Sequence, residues 1–209
     1  MHESSTLIYV HDPMCSWCWG FRPALAQLRS LLPPEVAFAR LLGGLAPDSE
    51  QPMPEAMQSK LQDTWRRIQQ RIPGSEFNFD FWRDCRPRRS TYPACRAVIA
   101  ARQLDAQCED AMILAIQQAY YLRAMNPSDA DTLVQLASEL GLDRDAFARL
   151  LRNEQVEQQL QDEIARARAI GAHSFPSLVL QTGPASYWPV GVQYTDPQGM
   201  LDTVKTLIA

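Results

Sequence analysis

Apolar and polar positions divide this chain into a β-rich beginning, a long helical middle and a β-rich end. The run Leu7-Ile8-Tyr9-Val10 predicts a strand. Phe21, Leu25, Leu28 and Leu32 then recur at i, i+4, i+7 and i+11, one face of a 3.6-residue period. They predict a helix that opens at Ser16 or Trp17 and stops at Pro33-Pro34. Pro23 falls near its start, where a missing N–H costs little but can leave a kink. Residues 36–42 predict a second strand, closed by Gly43-Gly44. A right-handed crossover through the helix would make these two strands parallel.

Helical periodicity dominates the middle. Helices are predicted over 54–72, from about 91 through 101, and over 108–125. The Ser128-x-x-Asp131 spacing resembles a capping box ahead of Leu133, Leu136 and Leu140, and Gly141 ends that helix. Asp143 is placed to cap a short helix over 144–152, and Val156, Leu160, Ile164 and Ala167 line the next, up to Gly171. The aromatic segment Phe77, Phe79, Phe81 and Trp82 reads as packing at a domain junction. Ser90 and Thr91 read as helix caps. Strands are predicted over 177–180 and 188–192, joined as a hairpin by Thr182-Gly183-Pro184. Asp196-Pro197 then caps a last helix with Leu201, Val204 and Ile208 facing inward. The order is β-α-β, a helical insertion, then β-β-α. This predicts a discontinuous domain over 1–45 and 171–209, and a helical insertion domain over 46–170.

Composition narrows the function classes. Of 209 residues, 46% are hydrophobic and 21% charged, and the net charge is −4. Such a balance argues against non-specific binding to nucleic acid or an anionic membrane, which needs a basic surface. The Arg83 to Arg89 region reads as a local solvated or ion-paired face rather than a phosphate site. No leader is read at the start, and no run approaches the roughly 18 apolar residues of a membrane span. The expectation is a cytoplasmic protein, where a close cysteine pair is transient and catalytic rather than a structural bridge.

That pair is Cys15-Ser16-Trp17-Cys18, at the junction between the first strand and the first helix. Unpaired N–H groups and the helix dipole favour an anion there. Such settings lower a cysteine pKa from about 8.5 to roughly 3.5–7.5 and make the sulfur a nucleophile. The spacing is also half of a zinc site, but Cys85, Cys95 and Cys108 are far apart in sequence and His2, His11 and His173 form no ligand pair.

The β-α-β and β-β-α halves around this motif resemble the thioredoxin fold, and the helical insertion resembles the DsbA family. The segment His11-Asp12-Pro13-Met14-Cys15-Ser16-Trp17-Cys18-Trp19-Gly20-Phe21 is similar to the cytoplasmic protein-disulfide isomerase branch of that family, with its Cys-x-Trp-Cys-Trp-Gly pattern. Ser90-Thr91-x-x-Ala94-Cys95-Arg96 resembles a helix start of related proteins. Gly171-x-x-x-Phe175-Pro176 resembles the segment that carries the family's cis-proline. The resemblance implies an α/β thioredoxin fold and a disulfide oxidoreductase or isomerase. Cys15 would attack and Cys18 resolve, with Pro176 facing them. Trp17, Trp19, Ser174 and Phe175 would contact a disulfide-containing protein or small-thiol substrate. No cofactor is implied beyond glutathione as a candidate redox partner, alongside the thioredoxin system.

The family's fold often buries an acid six residues before the nucleophile; here that position is Tyr9. His11 and Asp12 are nearby substitutes in sequence, and Cys95 is a candidate second resolving thiol. The competing readings are a glutathione-dependent transferase or isomerase of the kappa and 2-hydroxychromene-2-carboxylate isomerase type, a chaperone, and a metal-binding module. The first class carries Ser where this chain has Cys15 and lacks the second cysteine. In this chain, Arg96 and the Ser90-Thr91 turn are its candidate contacts for glutathione carboxylates.

Overall fold

The computed structural model describes residues 5–209. The reading of the first four residues as free of a leader lies outside them, as does His2. The chain forms two compact units, one from residues up to Gly43 together with Glu163–Ala209, the other from Gly44–Asp162.

The first unit is built on a four-stranded sheet in the order β2-β1-β3-β4. Strand β1 (Ser5–His11) pairs in parallel with β2 (Val36–Leu42) and antiparallel with β3 (Ser177–Gly183). Strand β3 pairs antiparallel with β4 (Ser186–Val190). Successive side chains of a strand point to opposite faces. Leu7 and Tyr9 therefore join one apolar cluster and Ile8 and Val10 another. The first cluster takes Phe21, Leu25 and Leu28 from α1 (Ser16–Leu31) and Met200, Leu201 and Val204 from α9 (Pro197–Ile208). The second takes Leu41, Ala167, Ala172 and Val179. A strand covered on both faces has no solvent side to mark with polar residues, which is why its sequence does not alternate.

Local chemistry sets the element ends. The Asp196 carboxylate accepts from the Gly199 N–H at 2.9 Å and caps α9, as its sequence predicts. The Glu163 carboxylate accepts from the Leu42 N–H at 2.8 Å, where β2 ends. The last strand begins at Ser186 and ends at Val190, about two residues earlier than the apolar pattern predicts. It is an edge strand, where Pro189 is tolerated without a ladder N–H.

The second unit contains α2 (Glu55–Arg71), α3 (Phe81–Asp84), α4 (Tyr92–Leu104), α5 (Cys108–Tyr121), α6 (Ala130–Glu139) and α7 (Arg144–Leu150). Helix α8 (Glu154–Ala169) runs from it into the first unit. The aromatic segment finds its partners inside this unit. The fully buried Trp65 stands within 5.0–5.5 Å of Phe77 and Phe79 and within 5.5–5.6 Å of Tyr120 and Tyr121, centroid to centroid.

Three capping expectations resolve differently. Asp143 caps α7 as expected, accepting from the Ala146 N–H at 2.7 Å. Ser128 does not cap α6: its hydroxyl donates to the Ser90 carbonyl at 2.6 Å. The N-cap is Asp129, whose carboxylate accepts from Arg88 at 2.7 Å instead of from the helix. Nor does Thr91 cap α4; its hydroxyl bridges the N–H and carbonyl of Ala46 at 3.0 and 3.3 Å. The Ser90 hydroxyl accepts from the Ser49 N–H at 3.2 Å. Both hydroxyls tie the loop before α2 to the start of α4, a long-range use that local spacing does not reveal.

Trp65 is the centre on which the helical unit's aromatic residues converge. Trp65→Ala should cost about 3–5 kcal/mol of stability, read by urea denaturation with tyrosine and tryptophan fluorescence. A loss below about 1 kcal/mol would mean that the ring cluster is not what holds this unit together.

Candidate active site

The Cys15-x-x-Cys18 motif is held by a turn as well as by a helix. Asp12 is fully buried. Its carboxylate accepts from the Met14 N–H at 2.8 Å and its carbonyl from the Cys15 N–H at 3.0 Å. That Asx-type turn delivers Cys15 to the N-cap of α1 in an extended conformation, φ −78° and ψ 115°. The Cys15 sulfur takes the place of a capping oxygen and accepts from the Cys18 N–H at 3.4 Å. An anionic sulfur at this position would face the unpaired donors of the first turn.

Cys18 lies one turn further in and is 1% exposed, against 5% for Cys15. Both are free thiols. Burial pushes the Cys18 thiol well above its ordinary range, and the hydrogen bond and charge of Cys15 push the same way. The backbone of Asp12 and the hydroxyl of Tyr9 oppose that rise by hydrogen bonding to the Cys18 sulfur. Tyr9 is itself buried, and burial, followed by the neighbouring cysteines, raises its phenol well above 10.0. Its ring is stacked on that of His11, two residues along β1, with centroids 4.9 Å apart and planes 6° from parallel.

Facing Cys15 is the loop that precedes β3. The Phe175–Pro176 peptide bond is cis. The Phe175 carbonyl oxygen is 3.5 Å from the Cys15 sulfur, within reach of its S–H. Pro176 is buried and Phe175 half-buried. Ser174 is exposed, and its carbonyl accepts from the Ser177 hydroxyl at 2.6 Å. Gly43 makes this arrangement fit. A Cβ there would lie 1.9 Å from an edge carbon of the Phe175 ring, so the ring occupies the space a side chain would need. The Gly43 N–H donates to the His11 carbonyl at 2.7 Å, fixing the end of β2 beside the end of β1.

The two tryptophans of the motif differ. Trp17 is half-buried with its ring 5.3 Å from Tyr194. Trp19 is 5% exposed, and the Arg22 guanidinium lies 4.0 Å over its ring. Beside Pro176 is a hollow of about 330 Å³, lined by Ile170, Ala172, Leu178, Val190 and Val192. In the helical unit, Cys95 is fully buried and Arg96 is already ion-paired, to Asp48 at 2.8 Å and Glu157 at 2.7 Å. Among the described residues, no group of three or more His, Cys, Asp and Glu side chains is placed to hold a metal ion.

A dithiol at a helix start, packed under a cis-proline loop on a β-α-β and β-β-α sheet, agrees with the match found to a DsbA-like thioredoxin domain over residues 6–193. The chain belongs to the DsbA-like thioredoxin-domain family. Among solved structures it is similar to the cytosolic disulfide reductase DsbM from Pseudomonas aeruginosa, at 27% identity and TM-score 0.76, covering 97% of this chain and 99% of that one. DsbM solved with GSH aligns at 25% identity and TM-score 0.74, over 97% and 98% of the two chains. A candidate protein disulfide isomerase from Nitrosomonas europaea shares the fold at TM-score 0.84 and 24% identity, over 99% and 98%. No curated protein matches the sequence.

Sequence reasoning brought the cysteines and the Phe175-Pro176 loop together as the structure does. It missed the Asp12 turn and the Gly43–Phe175 contact. The Asp-Pro dipeptide before Cys15 is a turn signal that could have found the first. Nothing local could have found the second.

Two outcomes test this geometry. Gly43→Ala should destabilise the protein by about 1–3 kcal/mol through overpacking, and Phe175→Ala in the same chain should recover most of that loss. Additive losses in the double variant would contradict the contact. The reduced protein should also lose stability as pH rises past about 9. The unfolded state then releases the Cys18 proton while the folded state retains it, so the unfolded state binds fewer protons. In the oxidised protein Cys18 has no proton to release, so it should lose less over the same range in parallel denaturation curves.

Proposed function

We propose that this chain is a thiol–disulfide oxidoreductase in which Cys15 attacks and Cys18 resolves. It would act in the cytoplasm on disulfide-containing proteins or small disulfides, with glutathione as its reductant. The observation that carries this reading is the pairing of two differently placed sulfurs. Cys15 sits at the helix N-cap against the Phe175 carbonyl, while Cys18 is sealed beneath it.

In the reducing direction the Cys15 thiolate attacks one sulfur of a substrate disulfide. A Cys15–substrate disulfide forms and the other substrate sulfur leaves as a thiolate. Cys18 then gives up its proton and attacks the Cys15 sulfur. The Cys15–Cys18 bond forms, and the second substrate sulfur departs and takes up a proton. Two glutathione thiols reverse the oxidation: one opens the Cys15–Cys18 bond as a mixed disulfide, the other releases it as oxidised glutathione. Electrons balance at each stage, since every bond formed between sulfurs replaces one broken. Isomerisation is the same first step followed by attack from another thiol of the substrate.

Phe175, Pro176 and Ser174 form the loop that an extended substrate would meet, and the hollow beside Pro176 suits an apolar side chain. Trp17 is the more accessible of the two tryptophans for contact. The GSH-bound form of DsbM supports glutathione as partner. Arg96 is a poor candidate for holding its carboxylates, because Asp48 and Glu157 already satisfy that guanidinium. The cytosolic setting of DsbM supports the same compartment here.

Cys18→Ser should accumulate a mixed disulfide on Cys15 when treated with oxidised glutathione, seen as one added glutathione by intact mass. Cys15→Ser should form no such adduct at Cys18, which is 1% exposed, when the adduct is located by peptide mapping against Cys85, Cys95 and Cys108, present in both variants. Equal labelling of both variants, or of neither, would sink the assigned order of attack.

A further inference from the structure

The helical unit carries a cavity that the thiol–disulfide cycle does not use. Its volume is about 730 Å³, within the roughly 300–1,000 Å³ of small-ligand sites. Every residue that lines it belongs to the helical unit. Its apolar lining includes the buried Leu133, Val134 and Leu151, together with Ala148 on α7.

The charged lining falls into two groups. One group is already satisfied. Arg88 holds Asp129 at 2.7 Å, and Arg96 holds Asp48 at 2.8 Å and Glu157 at 2.7 Å. Glu50 stands in solvent, 3.9 Å from Arg88. The other group is free. Arg144, Arg152, Asp131 and Asp145 are exposed, and their side chains make no ion pair or hydrogen bond with any described residue. Two free cations and two free anions therefore share one cavity. A polyanion would gain from the arginines and lose to the aspartates, and a polycation the reverse. A ligand with one charge of each sign gains from both.

Helix α7 adds a length. Arg144, Ala148 and Arg152 follow one another at i, i+4 and i+8, the spacing of one helix face. The helical path continues past Leu150, since the Leu151 N–H donates to the Phe147 carbonyl at 3.0 Å and the Arg152 N–H to that of Arg149 at 3.2 Å. At 1.5 Å per residue, the two arginines start about 12 Å apart. An extended chain covers about 3.3 Å per residue, so three or four residues span that distance.

We propose that this cavity binds a short linear peptide of three or four residues, with free ends and an apolar side chain between them. The peptide carboxylate pairs with Arg144 or Arg152 and its ammonium with Asp131 or Asp145. The apolar side chain meets Leu133, Val134 and Leu151. Exposed ion pairs are individually weak, so the site selects by length and charge placement and binds loosely. The inference is independent of the oxidoreductase reading, because none of these residues takes part in the dithiol cycle.

Isothermal titration calorimetry of the full chain with the tripeptide Ala-Leu-Ala tests it. One peptide should bind per chain, saturably. Acetylating its N-terminus or amidating its C-terminus should each weaken binding about fivefold. The paired substitutions Arg144→Gln with Arg152→Gln, and Asp131→Asn with Asp145→Asn, should each do the same while leaving the urea unfolding curve unchanged. The amidated peptide should bind the arginine variant and the wild type equally, because the contact is already gone. The acetylated peptide should likewise not distinguish the aspartate variant. Absence of saturable binding, blocked peptides that bind as well as the free one, or losses that multiply across peptide and protein changes would each overturn the proposal. Cys15→Ser with Cys18→Ser should bind the peptide like wild type. Loss of binding there would move the peptide to the dithiol and overturn the proposal as well. Mixed-disulfide formation with oxidised glutathione is a separate readout, so failure of the oxidoreductase reading would show there and not in the titration.

Discussion

The burial of β1 on both faces is the constraint on which the first unit depends. One face carries Leu7 and Tyr9 against α1 and α9, the other Ile8 and Val10 against Leu41, Ala172 and Val179. Its neighbours on both edges are paired over most of its length. A strand held in this way ends at a defined place, and the redox turn begins where it ends. Asp12 closes that turn with its side chain and its backbone, so the position of Cys15 is set by buried hydrogen bonds as well as by the helix it starts.

Much of this was legible from spacing. The two halves of the sheet, the helical middle and the Cys-x-x-Cys at a strand–helix junction all follow from local periodicity and turn residues, which act over a few positions. What escaped acts over distance. Ser128, Ser90 and Thr91 have the right residue types for caps, yet their hydroxyls serve partners about 40 residues away. Capping and long-range tethering use the same chemistry, and sequence cannot say which donor arrives first. The edge strand was placed late because Trp188 to Val192 is the more apolar stretch, whereas the sheet uses the residues that can align with β3.

The proposed site was legible in its two cysteines and its proline loop and illegible in their support. Cys15, Cys18 and the Phe175-Pro176 loop stand together, although about 160 residues separate the two halves. Gly43 belongs to that site as much as they do, since the Phe175 ring lies where its side chain would be. A glycine ending a strand has an ordinary explanation as a turn residue, and only the approach of a residue from the far end of the chain reveals another one.

Polar satisfaction also separates the two glutathione readings. A transferase-type site needs cations free to take the ligand's carboxylates. Arg96, the candidate from sequence, is largely buried and holds two carboxylates of its own. Displacing them would leave Asp48 and Glu157 to be resolvated or paired afresh, which offsets much of what a new carboxylate contact could contribute. A thiol–disulfide cycle makes no such demand. The ion pairs of Arg96 therefore count against that residue as a holder of glutathione's carboxylates.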